Sequence, residues 1–156
     1  MDIVSPKTRS RMMSGIQAKD TKPELIVRKA LHKEGFRYRL HAKDLPGKPD
    51  IVLPKYKAVI LINGCFWHGH DCHLFKWPST RQEFWLKKIT GNQQRDIKNR
   101  LSLEKEDWKS LVVWECAIRG KHRLPLEPLI SLIKNWLLVG DCSVDVTGIS
   151  AKHTDP

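Results

Sequence analysis

No stretch of this sequence is apolar for anything near the roughly 20 residues that a bilayer-spanning helix needs. The opening MDIVSPKTRSRMMSG also lacks the apolar core of a secretory signal. The expected location is therefore the cytoplasm, with no membrane partner. Cysteine is scarce, at four residues: Cys65, Cys72, Cys116 and Cys142. In a reducing compartment, clustered thiols point to metal binding more than to disulfides. Internal repeats, linkers and low-complexity tracts are absent too. The 156 residues are expected to form one ordinary domain with a core of its own.

Acidic residues are the other shortage. Against 17 Asp and Glu stand 28 Lys and Arg, giving a formal net charge of +11. Such an excess attracts polyanions and releases their counterions on binding, which makes nucleic acid the leading partner class. Residues 1–57 hold 14 basic and 6 acidic side chains, whereas residues 125–156 hold 2 and 4. The binding face is expected in the first two thirds of the chain.

Residues 1–20 show little periodicity and read as a flexible basic arm that orders on DNA. Residues 21–140 carry the periodic segments, and 141–156 read as a polar tail. At Asp20-Thr21-Lys22-Pro23-Glu24, Thr21 is a helix N-cap, Pro23 suits the first turn, and Glu24 completes a capping box. A helix follows to Glu34 and ends at Gly35. Phe36–Leu40 alternates like a half-exposed strand. After the turn Leu45-Pro46-Gly47-Lys48-Pro49, Asp50–Leu53 and Lys57–Ile62 read as a hairpin. Helical spacing returns over 81–106, with a break allowed at Gly91. Ser110–Trp114 is a further strand and Leu126–Leu138 an amphipathic closing helix. The order α-β-β-β-α-β-α predicts an α/β fold, a mixed sheet flanked by helices. Trp108, Trp114 and Trp136 fall at core positions.

The densest chemical signal is Cys65-Phe66-Trp67-His68-Gly69-His70-Asp71-Cys72-His73. Structural Zn²⁺ takes four tetrahedral sulfur and nitrogen ligands. Cys65, His70 and Cys72 can supply three from one loop, and Cys116, just past a strand, is the natural fourth. Cys142 lies in the tail and is the poorer candidate. His68 and His73 stay outside this set, and an imidazole fixed beside a metal site can act as a general base. Asp50 enters its strand from a Gly/Pro-rich turn, where a carboxylate can hold Mg²⁺ or simply cap the strand. The aromatics Phe66, Trp67 and Trp85 flank the Cys/His loop. They can serve as a wedge between base steps or pack beneath the metal.

Taken in order, Thr8 to Ile16, Asp20 to Glu24, Leu45 to Asp50, Gly64-Cys65-Phe66-Trp67-His68 with the following His70-x-Cys72, and Trp114-Glu115-Cys116-Ala117 resemble the very-short-patch mismatch repair endonucleases. The resemblance runs from about residue 8 to 120. It implies a restriction-endonuclease-like fold and a structural Zn²⁺ at Cys65, His70, Cys72 and Cys116. It further implies Mg²⁺ at Asp50 and at the backbone carbonyl of Ile62, with His68 activating a water and Glu24 supporting the metal's water shell. Phe66, Trp67 and Trp85 become the wedge. Met13 and Ile16 reach in from the opposite groove, and Lys88 and Asn92 contact DNA near the mismatch. The implied substrate is a T·G pair left by deamination of 5-methylcytosine, nicked 5′ of the T by a monomer on bacterial nucleoid DNA, with other repair proteins as further partners.

Two departures stand out. Members of that family can carry Thr-His where this chain has Ile62-Asn63, and Asn63 cannot titrate as His can. The chain also lacks the Glu-x-Lys half of the common nuclease signature. Two rival readings are a non-enzymatic zinc-stapled DNA-binding module and a restriction-type nuclease that cuts both strands of matched DNA.

Overall fold

A computed structural model describes residues 20–149 of the chain. Residues 1–19 of the expected arm, with Met13 and Ile16, and the last seven residues of the tail lie outside the described residues. The first helix, α1 (Lys22–Lys33), begins as the capping box requires. Thr21 Oγ1 accepts the Glu24 N–H at 3.4 Å. The Glu24 carboxylate reaches one residue further back than in the usual box, accepting the Asp20 N–H at 3.1 Å. The helix closes in a Schellman arrangement: Gly35 (φ +96) and Phe36 donate to the carbonyls of His32 and Leu31.

That closure explains a difference from the sequence reading. Phe36 is spent capping α1 and burying its ring, so only Arg39–Leu40 of the expected strand forms as β1. β2 (Ile51–Leu53) and β3 (Ala58–Asn63) make the expected hairpin, joined by a single 3₁₀ turn at Pro54–Tyr56. α2 (Gln82–Lys105) follows as one continuous 24-residue helix. Gly91 does not break it. A lone glycine costs a helix only about 1 kcal/mol, and Ile89 and Leu103 are both fully buried on either side. β4 (Lys109–Trp114) then runs parallel to β3, as a helical crossover requires. α3 (Leu126–Val139) comes next.

The last strand among the described residues is one the sequence reading did not contain. β5 (Val144–Val146) lies within the expected polar tail and pairs parallel with β4, Val112 opposite Asp145. The sheet order is β1-β2-β3-β4-β5. Side-chain alternation sends each strand's residues to two different faces. Ile51, Leu53, Ala58, Ile60, Leu111 and Val113 pack with α1 and α3, and Val52 and Val59 pack with Leu103 of α2. The result is the expected α/β architecture, a mixed sheet flanked by helices, here in three layers.

Candidate active site and metal centre

The parallel pair β3 and β4 ends in register, Asn63 opposite Trp114. Two residues beyond each end stand Cys65 and Cys116. They meet because neighbouring strands release their chains side by side. The loop after β3 returns His70 and Cys72 to the same point, so that ligand atoms of all four residues lie within 4.8 Å of one another. His70 Nδ1 is 3.6 Å from Cys65 Sγ and 3.7 Å from Cys116 Sγ. Tetrahedral zinc, with Zn–S of about 2.3 Å and Zn–N of about 2.05 Å, separates such ligands by about 3.6 Å. The donor set is therefore spaced and composed for a tetrahedral metal.

Two backbone N–H groups point at its sulfurs. The Cys116 N–H donates to Cys65 Sγ at 3.3 Å, and the Gly148 N–H to Cys116 Sγ at 3.3 Å. Burial first, and then the neighbouring Cys72 thiol, push both thiols upward in pKa. A cation among them reverses that preference, because a coordinating thiol is deprotonated outright. Glu115 anchors the start of the loop by accepting the Cys65 N–H at 3.2 Å.

Gly69 separates the two imidazoles that matter. Its φ of +60 turns the chain so sharply that a Cβ there would meet Gln93 Nε2 at 2.5 Å and Ile89 Cγ2 at 2.6 Å. On one side of this turn His70 joins the thiols. On the other, His68 faces a cavity of about 790 Å³ whose lining also includes Asp50, Ile62, Asn63 and Asp96. His68 Nδ1 lies 2.5 Å from Asp96 Oδ2 on α2. With Nδ1 occupied by the carboxylate, Nε2 is the ring's free basic position. His73 goes elsewhere: its ring packs against His122 with centroids 4.4 Å apart, and Nε2 is buried with no partner among the described residues.

Asp50 stands immediately before β2. Its Oδ2 accepts the Ile62 N–H at 2.7 Å, which ties β2 to β3 at the cavity. Burial lifts the Asp50 carboxyl to about 6, opposed by that hydrogen bond and reinforced by Glu24. An ionised carboxylate here is short of positive charge, as expected at a cation ligand. Glu24 is only 1% exposed. Its Oε2 contacts Arg28 Nη1 at 2.8 Å and His41 Nε2 at 2.9 Å, while the His41 backbone N–H donates to the Asp50 carbonyl at 3.0 Å. Glu24 is thus both cap and buried neighbour of Asp50.

Phe66, Trp67 and Trp85 form a mutually packed cluster, with ring centroids 5.3 to 5.8 Å apart. They are half-buried and belong to neither hydrophobic core cluster. Asn92 supports this cluster from α2, its side-chain amide donating to the Trp67 carbonyl at 2.8 Å. Lys88 is exposed on the same helix. The core assignment of Trp114 needs correction, since its ring stacks on His70 at 4.1 Å and lines the cavity. Trp136 is buried as expected, and Trp108 is partly buried against the core of the α2 face.

Asp96 was absent from the sequence reading. A lone acid among Arg95, Lys98 and Arg100 looks like an ordinary helix ion pair. Only the fold reveals that it faces His68.

A family model described as DNA mismatch endonuclease Vsr matches residues 1–74. The DNA mismatch endonuclease Vsr of Escherichia coli is 41% identical over 150 residues, covering 95% of this chain and 96% of that protein. The type II nicking enzyme V.NmeAIP of Neisseria meningitidis is 52% identical over 136 residues, covering 86% and 97%. A third relative, the type II nicking enzyme V.XorIIP of Xanthomonas oryzae, is 44% identical over 133 residues, covering 81% and 98%. The protein is thus a DNA endonuclease, a hydrolase with a Cys₃His group clustered as metal ligands are and DNA as its partner. The reading as a non-enzymatic binding module falls with that result. The chain belongs to the Vsr family of DNA mismatch endonucleases. No helix among the described residues is long and apolar enough to cross a membrane.

Proposed function

We propose that this endonuclease nicks one strand of duplex DNA 5′ of the T in a T·G mismatch, the pair produced when 5-methylcytosine deaminates. The observation that carries the chemistry is the His68–Asp96 contact of 2.5 Å facing Asp50 across one cavity. His68 Nε2 takes the proton of the attacking water, and Asp96 holds the imidazole in the required tautomer and stabilises its protonated form. Asp50 and the Ile62 carbonyl are the residues that would hold Mg²⁺, with Glu24 supporting its water shell. When bound, that ion supplies positive charge against the scissile phosphate. Proton transfer and orientation fall to the chain's own side chains.

The centre formed by Cys65, His70, Cys72 and Cys116 is read as structural zinc, since all four positions are filled by protein donors and none is left open for substrate. Phe66, Trp67 and Trp85 lie beside His68 in sequence or space and outside the core. That placement supports a wedge that opens the stack next to the cut. Met13, Ile16, Lys88 and Asn92 are carried as DNA contacts on the family resemblance, Asn92 also acting through its grip on Trp67. Relatives named as nicking enzymes support a single-strand cut, and we read the chain as a monomer. We read its place as the bacterial nucleoid, with other repair proteins as further partners.

The test is an end-labelled duplex with one T·G pair in varied flanking contexts, beside its C·G counterpart, with Mg²⁺ or with EDTA. The expected product is a Mg²⁺-dependent nick in the T strand alone, lost in Asp50→Ala and His68→Ala. Cutting of both strands of the matched duplex would replace this reading with a restriction-type nuclease.

A further inference from the structure

Asp145 stands on β5, outside every set of site residues considered so far. Its Oδ2 accepts the Trp114 indole N–H at 3.2 Å, and its Oδ1 meets Arg100 Nη2 at 2.5 Å. The Trp114 ring in turn stacks nearly parallel to the His70 imidazole, with centroids 4.1 Å apart and 11° between the planes. The same indole presents an edge contact to His68 at 6.0 Å. Arg100 follows Asp96 by one helical turn of α2, so one face of that helix holds His68 through Asp96 and β5 through Arg100. These contacts make a closed ring on the floor of the cavity: His68, Asp96, Arg100, Asp145, Trp114 and back to His68.

The ion pair in this ring is partly solvent-exposed, at 37% and 39% for its two side chains. Exposed pairs of that kind contribute little to stability. What the arrangement supplies is orientation. An indole stacked on an imidazole constrains the ring's tilt only if the indole is itself held, and among the described residues the hydrogen-bond partner of its N–H is Asp145. The β5 segment touches the centre a second time just downstream, where the Gly148 N–H donates to Cys116 Sγ.

We propose that Asp145 is a positioning residue for the metal centre: by fixing the Trp114 indole it sets the plane of the His70 imidazole. The proposal rests on the reading of Cys65, His70, Cys72 and Cys116 as a zinc site. Partners that orient a ligating histidine typically change metal affinity by about 10–100-fold when removed.

The experiment loads the full chain with zinc and follows transfer of the metal to an excess of chromogenic chelator, without DNA. Asp145→Ala is expected to release zinc about tenfold faster than the wild type. Trp114→Phe, which keeps an aromatic face but loses the N–H, is expected to match it. The double variant should be no faster than either single one, because both changes remove one link. Asp145→Asn keeps the shape and an acceptor for the indole while losing the charge that faces Arg100, and is expected to hold zinc nearly as the wild type does. Release from Asp145→Ala at the wild-type rate overturns the proposal. So do losses that multiply in the double variant, or an Asp145→Asn chain as leaky as the alanine one. A wild-type chain that takes up no zinc instead removes the metal-centre reading beneath it.

Discussion

Replacing Asp50 by asparagine is expected to abolish nicking and, in Mg²⁺-free buffer, to make the folded chain more stable. The reasoning starts from a carboxyl lifted from 3.8 to about 6 by burial. Between those two values the folded chain holds a proton that the unfolded chain has released, so stability falls as pH rises through the window. Above pH 6 the whole penalty remains. At 1.36 kcal/mol per pH unit it amounts to about 3 kcal/mol, an upper figure because part of the side chain meets solvent. Asparagine escapes the penalty, while its carbonyl oxygen can still accept the Ile62 N–H that Asp50 binds at 2.7 Å. Urea unfolding of both proteins at pH 5, 6 and 8, with zinc retained and no Mg²⁺ added, measures the difference. The variant's advantage should be near its full size at pH 8 and shrink toward pH 5. A variant that is less stable at pH 8, or an advantage that does not change with pH, would refute the argument that burial and charge shortage define this site.

Asp96→Asn, which keeps a hydrogen-bonding group beside His68 but removes the charge, should lower single-turnover nicking by roughly 10²–10⁴ while leaving DNA binding by gel shift unchanged. Gly69→Ala drives a Cβ into Gln93 and Ile89 at a φ of +60 and is expected to cost on the order of 1–3 kcal/mol in urea unfolding. Cys116→Ser removes one of four clustered ligands. It should reduce bound zinc below one per chain by mass spectrometry and speed amide exchange across the loop that follows β3.

The parts of the fold that carry a local signature were legible in the residues alone. The Thr21/Glu24 cap, the hairpin about Pro54 and the staple of Cys65, His70, Cys72 and Cys116 each announce themselves within a few positions or by a distinctive donor type. The parts set by what faces what were not. Helical spacing places Asp96 and Arg100 on one side of α2, yet says nothing of the imidazole and the strand opposite them. β5 has three residues, too few for alternation to register, and its polar Asp145 makes it look like tail. Trp114 ends an apolar run, which suggests burial, but the run's last side chain passes the sheet's edge and lies over His70. Glu24 shows how one residue can satisfy a local rule and a distant one together: its capping role was readable, its contact with His41 was not.

The spacing of the staple has a consequence for how the protein opens. Cys65 and Cys116 are 51 residues apart, and the chain between them contains Trp67, His68, all of α2 and Asp96. A cross-link closing a loop of that length removes unfolded-state entropy worth about 4 kcal/mol, the service a disulfide performs in secreted proteins. With metal in place, Trp67 and His68 are tethered at both ends to one point. They form a single cooperative unit of exchange, so neither can fray by itself, and loss of the metal releases both at once.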